Sequence, residues 1–466
     1  DKKEYLVYAS DFLESHETYF IVTDFCDETC YLPGILAQYL RVEFLNAAIE
    51  IKEVKFDNKA PAKEIAQEAE VQKQNQLLER VQRINERNER LNLGWTAGPT
   101  KVCQLSYEEK NKMFLGENLS NLYGFECYVE GVFRLPPEVE ETKKKQIESI
   151  KELDQSDNQS RDPQVKGATV LAQSSLPESW DWRSAHGADN PASHYFNDSN
   201  GWLTSIKDQG VASTCWAFSL IGALEAQIKL YYNQTALDVD LSEQMLVDCV
   251  NNGVLQTPGS AWGVPEECVD AMALTCVGRD YCKNQYTGMI DEACLEYGEG
   301  PGYNGGIDCT PYLCSDWQQR TWKNDGGFHD YVFDEFLTNC NSAFQTTNLT
   351  ADDIKAALIE KGPLRSGLES MGHAMVLVGY EPDLVNQGGT VWIFKNSWGS
   401  GNQEYIKVAA EVGGVGVTPA SIPLGHFTPP QDSHFWPAGF VNDIQCKDED
   451  GDGYCFWGIS DTQPPS

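Results

Sequence analysis

The run that opens at Cys215, "CWAFSLIGALEAQIKLYY", constrains the fold of this chain more than any other. Trp216, Phe218, Leu220, Ile221, Ala223, Leu224, Ile228 and Leu230 recur on more than one face of a helix, which predicts a helix buried on most sides. Such a helix needs a core large enough to surround it. A chain of 466 residues, 41% hydrophobic and carrying 12 Trp, can supply one. Gly210 and Ser213 suit a tight turn and an N-cap, so Cys215 is expected in the first helical turn. Free backbone N–H groups and the helix dipole favour a thiolate there, whereas a small buried hydrophobe is the plain alternative for a lone cysteine.

The net charge of −35 argues against nucleic acid or an anionic membrane as partner. No run of about 18 apolar residues is present, so no membrane-spanning helix is expected. The opening "DKKEYLVYAS" reads as a chain already trimmed of a leader. There are 15 cysteines, and setting Cys215 aside leaves an even number dispersed over loop-like surroundings without a C-x-x-C pair. Disulfides in an oxidising compartment account for them better than zinc does. The sequons at Asn118, Asn158, Asn197, Asn233 and Asn348 are compatible with a secreted or cell-surface glycoprotein. An unpaired thiol in such a protein needs a reason.

Five stretches follow from pattern and composition. Residues 1–60 alternate apolar and polar in "EYLVYAS", "TYFIVTDF" and "EIKEVKF", which predicts a small sheet clipped by Cys26 and Cys30. Residues 61–137 open with a helical pattern, with Leu77, Leu78, Val81, Ile84 and Leu91 on one face and Glu79/Arg83 and Glu86/Arg90 as i,i+4 pairs. "LSYEEKNKMFLG" and "GFECYVEGVFRL" then read as a strand pair with Cys127 available to Cys103. Residues 138–175 are charged and then Ser/Gln-rich, the composition of an exposed linker open to proteolysis. Residues 176–428 carry the buried helix, and 429–466 form a tail.

Two further segments bear on chemistry. "GHAMVLVGYE" places His373 at the head of an apolar strand, and "TVWIFKNSWGSG" is a strand ending at Asn396, Ser397, Trp398 and Gly399. Singly these are ordinary strand and turn residues. With Cys215 they supply a nucleophile, a base and a group to orient the base, as thiol hydrolysis requires.

In order along the chain, "LPESWDWR", "QGVASTCWAFS", "LSEQMLVDC", "GYNGG", "GHAMVLVGY" and "KNSWG" resemble the papain-like cysteine proteases over roughly residues 176–428. The resemblance implies an α+β, two-lobed papain-like fold, with a helical left lobe and a β-barrel-like right lobe behind an α/β pro-region. It implies Cys215 as nucleophile, His373 as its thiolate–imidazolium partner and acid, and Asn396 as the acceptor fixing the ring under Trp398. Gln209 would form the oxyanion hole with the Cys215 N–H. Gly305 and Gly306 would pair with extended substrate, and Met371, Gly367 and Ala374 would line a side-chain pocket. No cofactor is required by such a site.

The departures from that pattern carry expectations of their own. Ala212 and Tyr303 stand where the family has a bridging cysteine pair, and Cys249 has its usual type of partner in Cys340. An insertion at 250–301 holds Cys268, Cys276, Cys282 and Cys294, enough for two internal bridges at the rim of the cleft. "ERVQRINERNERLN" followed by "LSYEEKNKMFLG" is similar to an inhibitory propeptide, which would run through the cleft in reverse and let go as carboxylates protonate. Residues 1–60 match nothing in such a propeptide and are expected to meet a surface partner. In the tail, Asp448, Asp450 and Asp452 alternate before Gly453, as in the start of a calcium loop, with Ile459 where the closing Glu belongs. The expectation is thus a secreted, latent cysteine peptidase cleaving peptide or protein substrates. Its rival is a catalytically silent surface or assembly protein that keeps the fold for binding.

Overall fold

The computed structural model describes residues 62–114, 122–139, 176–184, 201–232, 234–250, 288–298, 311–324, 350–368, 371–386, 388–401, 403–409 and 427–442, together with short strands at 5–10, 20–23, 39–44, 331–332 and 335–336. The first three strands, β1 (Tyr5–Ser10), β2 (Phe20–Thr23) and β3 (Tyr39–Phe44), form an antiparallel sheet in the order β2-β1-β3. Two coincide with the alternating segments; the third, "YLRVEF", alternates as well and was not anticipated. "EIKEVKF" and the Cys26/Cys30 clip lie outside the described residues.

Helix α1 (Ala62–Arg90) is solvated over residues 70–76 and docks through its second half. Val81, Ile84 and Asn88 are buried at i, i+3 and i+7, whereas Leu78 is 47% exposed and falls off the expected stripe. The docking partner is a two-stranded sheet of β4 (Trp95–Ala97) and β5 (Tyr128–Gly131). The Asn85 amide exchanges two hydrogen bonds with Ala97, accepting from its N–H at 2.7 Å and donating to its carbonyl at 3.0 Å, as a neighbouring strand would. Asn88 Nδ2 donates to the Trp95 carbonyl at 3.1 Å.

The expected strand pair is half corrected. β5 is a strand, but its partner is β4, and "YEEKNKM" forms helix α3 (Tyr107–Met113) after a short α2 (Lys101–Gln104). Ser106 and Glu109 close a reciprocal capping box, which holds that segment helical whatever its apolar alternation. Cys103 and Cys127 are disulfide-bonded, as their positions suggested.

The helix opening at Cys215, α4 (Cys215–Tyr231), is buried along its whole length. The short strands β7 (Lys323–Asn324), β8 (Tyr331–Val332) and β9 (Glu335–Phe336) follow it in the chain, and it lies against an antiparallel sheet in the order β10 (Leu364–Leu368), β11 (His373–Pro382), β12 (Thr390–Lys395) and β13 (Tyr405–Ala409). Ser219 Oγ fastens helix to sheet, donating to the Met375 carbonyl at 2.7 Å. β6 (Trp180–Asp181) pairs with β11 at a register shift beside Gly379, where a Cβ would lie 2.5 Å from the Trp180 carbonyl. Helix α5 (Ala351–Lys361) packs on the same strand.

The far end of the expected insertion belongs to this core. Met289, Ile290 and Leu295 are buried, Met289 pairs with Trp322, and Ser242 N donates to the Ile290 carbonyl at 3.1 Å. Cys294 is bonded to Cys314, so it closes no bridge with Cys268, Cys276 or Cys282, and the two-bridge subdomain expected there is corrected. Those three cysteines and the Cys249–Cys340 pairing lie outside what is described.

Among the described residues, the leading segment is joined to this core at several places. Phe133 extends β13 as a parallel neighbour of Val408, donating to the Lys407 carbonyl at 2.8 Å and accepting from Ala409 N at 3.0 Å. Arg134 meets Asp383 through two hydrogen bonds of 2.6 Å. Lys101 pairs with Asp208, one residue before Gln209.

Candidate active site

Helix and sheet bring four of the sequence candidates to one place. Cys215 is the first residue of α4, His373 the first of β11, Asn396 follows β12 directly, and Gln209 precedes the tight turn at Gly210, whose φ is +61°. Ser213 is not the helix cap. Thr214 holds that position and caps nothing with its side chain, because its hydroxyl is engaged by Tyr297.

The Asn396 amide is oriented by its neighbours. Its Nδ2 donates to the Gln403 carbonyl at 3.0 Å and its Oδ1 accepts from Ser397 N at 2.9 Å. The same Oδ1 lies 2.8 Å from His373 Nε2. An amide oxygen only accepts, so Nε2 carries the ring proton and Nδ1 keeps its lone pair. Nδ1 is buried and accepts no hydrogen bond from the described residues, which leaves its lone pair available as a base. Trp398 stacks on the imidazole at 4.7 Å and 25°, covering the His373–Asn396 bond.

Burial dominates the electrostatics. It pushes the Cys215 thiol up to about 11, against smaller opposing contributions from the backbone N–H groups of Ala374 and Trp216. It pulls the His373 imidazole down to about 4, with the Asn396 hydrogen bond opposing. Both shifts favour the neutral thiol and the neutral imidazole while the site is covered, and so oppose the thiolate–imidazolium pair expected from the sequence. A helix N-terminus stabilises a thiolate only when the low-dielectric cost of charging it is small, and Cys215 is fully buried.

The cover consists of aromatic residues from the leading segment. Phe114 packs edge-on to His373 at 6.0 Å and to Trp398 at 5.7 Å. Phe125 lies 6.4 Å from His373 and 5.6 Å from Trp398, and both phenylalanines are fully buried. Nothing in the local sequence distinguished Phe114 or Phe125 from core residues of their own segment.

Gln209 is also fully buried. Its Nε2 donates to the Ala212 carbonyl at 2.8 Å, its Oε1 accepts from Ser397 Oγ at 2.7 Å, and its backbone N donates to the Ser397 carbonyl at 2.8 Å. The amide orientation is thereby set, and one Nε2 hydrogen is left over from these bonds. Ser397, which the sequence marks only as part of its motif, holds the Gln209 amide through its hydroxyl.

Of the pocket candidates, Gly367 and Ala374 are cross-strand partners and Met371 is buried just before His373. Gly305, Gly306, Asp448, Asp450 and Asp452 lie outside the described residues. Among the described residues no group of His, Cys, Asp and Glu is arranged to hold a metal.

Sequence reasoning also missed a buried ionic group beneath the site. Lys207 Nζ meets Glu225 and Asp240 at 2.8 Å and Glu243 at 2.9 Å. Lys395 joins it through Thr204 at 3.0 Å. Burial raises Glu243 to about 8, against the attraction of Lys207, and lowers Lys395 to about 8. The alternation of Glu225, Gln227 and Lys229 with apolar residues along α4 was the available signal.

Comparison with known proteins identifies the family. The model of the papain family of cysteine proteases matches residues 176–421. Cysteine proteinase 15A of Pisum sativum is 27% identical over 274 residues, which are 52% of this chain and 60% of that protein. Cathepsin S of Mus musculus is 24% identical over 335 residues, 66% of this chain and 79% of that protein. Digestive procathepsin L2 of Tenebrio molitor larval midgut is similar over 79% of this chain and 95% of that one, at 19% identity and a TM-score of 0.43. With the family model covering more than half of its length, the chain belongs to the papain family of cysteine proteases.

Proposed function

We propose that this chain is a latent cysteine peptidase in which Cys215, His373, Asn396 and Gln209 hydrolyse peptide bonds once the segment before about residue 176 has left. The observation that carries this reading is the His373 imidazole, held by Asn396 at 2.8 Å on one side and covered by Phe114 of the leading segment on another.

Departure of the aromatic cover admits water to a site whose charges are now suppressed by burial. The imidazole then takes the thiol proton at Nδ1, giving the thiolate–imidazolium pair. The thiolate attacks the carbonyl carbon, and the oxygen, now negative, is met by the Gln209 Nε2–H and the Cys215 N–H. Collapse breaks the C–N bond as His373 returns its proton to the leaving amine. A water, deprotonated by the same imidazole, then hydrolyses the thioester and restores the thiol. Asn396 and Trp398 keep the ring in its plane throughout.

Secretion, glycosylation at the sequons, a calcium-holding tail through Asp448, Asp450 and Asp452, and a surface partner for residues 1–60 belong to the same proposal. They rest on the cysteine count, the sequons and the acidic alternation.

The test is intact mass after exposure to a thiol-directed peptidyl epoxide at neutral and mildly acidic pH, with Cys215→Ala as control. One adduct on Cys215, formed only after acidification and loss of the leading segment, is the expected result. No adduct in either form, with the fold intact, sinks the peptidase reading in favour of a silent, binding-only protein.

A further inference from the structure

We propose that Tyr297 is a positioning residue that sets the oxyanion side of the catalytic site. The inference rests on the peptidase reading above and concerns the loop from Gln209 to Cys215, which carries both expected oxyanion donors.

The Tyr297 hydroxyl donates to the Gln209 backbone carbonyl at 2.9 Å and is hydrogen-bonded to Thr214 Oγ1. A phenol has one proton, already given to Gln209, so Thr214 is the donor in the second bond. The chain Thr214 to Tyr297 to Gln209 therefore ties the two ends of the loop through a single oxygen. The tyrosine ring stands edge-on to Phe218 in the first turn of α4, at 4.8 Å and 80°.

Tyr297 is itself held on the far side. Its N–H donates to Glu292 Oε1 at 2.6 Å, and the next N–H, at Gly298, donates to Gln244 Oε1 at 2.8 Å. Three residues earlier, Cys294 is disulfide-bonded to Cys314. The loop needs such an anchor because position 212 is alanine, where the family resemblance places a bridging cysteine. Gly210, with φ at +61°, adds backbone freedom inside it. Displacements well under 1 Å decide whether donors meet a developing oxyanion.

The experiment compares the full chain, processed in acid, with its Tyr297→Phe, Thr214→Val and Thr214→Ser variants. Three quantities are read: kcat and KM on a fluorogenic peptide, affinity for a peptide aldehyde, and the rate of alkylation by a peptidyl epoxide. The aldehyde's hemithioacetal oxygen occupies the oxyanion position; epoxide opening does not need it. Tyr297→Phe should lower kcat and aldehyde affinity roughly tenfold, less than the 10²–10³ lost when a donor itself is removed. KM and alkylation should stay within about twofold. Thr214→Val should follow Tyr297→Phe, and Thr214→Ser should keep the parent's values. If Tyr297→Phe does not fold, the Thr214 pair decides the matter.

Aldehyde affinity unchanged in an active parent's Tyr297→Phe variant overturns this proposal alone. So does a parallel fall of turnover, alkylation and thermal midpoint, which would mark a purely structural role. A parent that neither turns over peptide nor reacts with epoxide at any pH overturns the peptidase reading and this inference with it.

Discussion

Arg134 and Asp383 face each other through two hydrogen bonds of 2.6 Å, with side chains only 10% and 2% exposed. One belongs to the leading segment and the other to the turn after β11, so this pair joins the cover to the catalytic sheet. Burial alone would raise the Asp383 carboxyl, but the Arg134 hydrogen bonds and the Val385 and Asn386 N–H groups hold it down to about 2.

Arg134→Ala should therefore loosen the cover by about 3–5 kcal/mol, the cost of leaving one buried charge without its partner. The full-length chain should then react with a peptidyl epoxide at neutral pH. A variant as unreactive as the parent would mean that the pair does not hold the cover.

Acid should release the cover, for a reason separate from that pair. His373 titrates near 4 when covered, against an ordinary 6.5. Uncovered and hydrated, with the thiol still protonated, the imidazole binds more protons between those values, so the covered state is at full strength above about 6.5 and weakens as pH falls towards 4. Cys215 gives the opposite limb: at about 11 against 9.0, it weakens the cover as pH rises through 9. Asp383 stays ionised down to about 2 and is not the acid trigger. The exposed Glu79–Arg83 pair, at 3.9 Å, is too screened to act as one. Epoxide labelling of the uncleaved chain should be lowest between pH 6.5 and 9 and should rise below 6.5. A profile flat from 7 to 4 would assign acid release to some other group.

Phe114→Ala should remove the ring that lies against both His373 and Trp398 and cost about 3–5 kcal/mol of cover stability. Its signature is faster labelling of Cys215 in the full-length chain. Because Phe114 leaves with the segment, peptide turnover after processing should equal the parent's. Slower turnover after processing would contradict its assignment to the cover alone.

Gln209→Ala should lower kcat by about 10²–10³ with a small change in KM, as expected for a donor used chiefly in the transition state. Alkylation of the processed form by an epoxide should persist. Loss of both together would place Gln209 in the framework of the loop, a role that its bonds to Ser397 and Ala212 also permit.

Local chemistry made much of this protein legible in one dimension. The unbroken apolar character of 215–231 required a buried helix, and the Cys, His, Asn and Gln candidates sat in segments whose order alone marked them as one site. The Cys103–Cys127 bond followed from two cysteines flanking one short segment. "LSYEEKNKMFLG" was misread because its apolar spacing suits either element, although the Ser106/Glu109 capping box was present to settle it.

Sequence by itself determined the family and picked out Cys215, His373, Asn396 and Gln209 as candidates for one site, since residue type and order suffice for these. Tertiary structure decided the state of the site. Whether His373 is charged depends on how deeply it is buried, and Phe114 and Phe125 pack against it from residues far away in the chain. The same holds for Tyr297, whose hydroxyl meets Gln209 from a distant stretch that buries Met289, Ile290 and Leu295 in the core. Long-range packing fixes such contacts, and no local pattern records them.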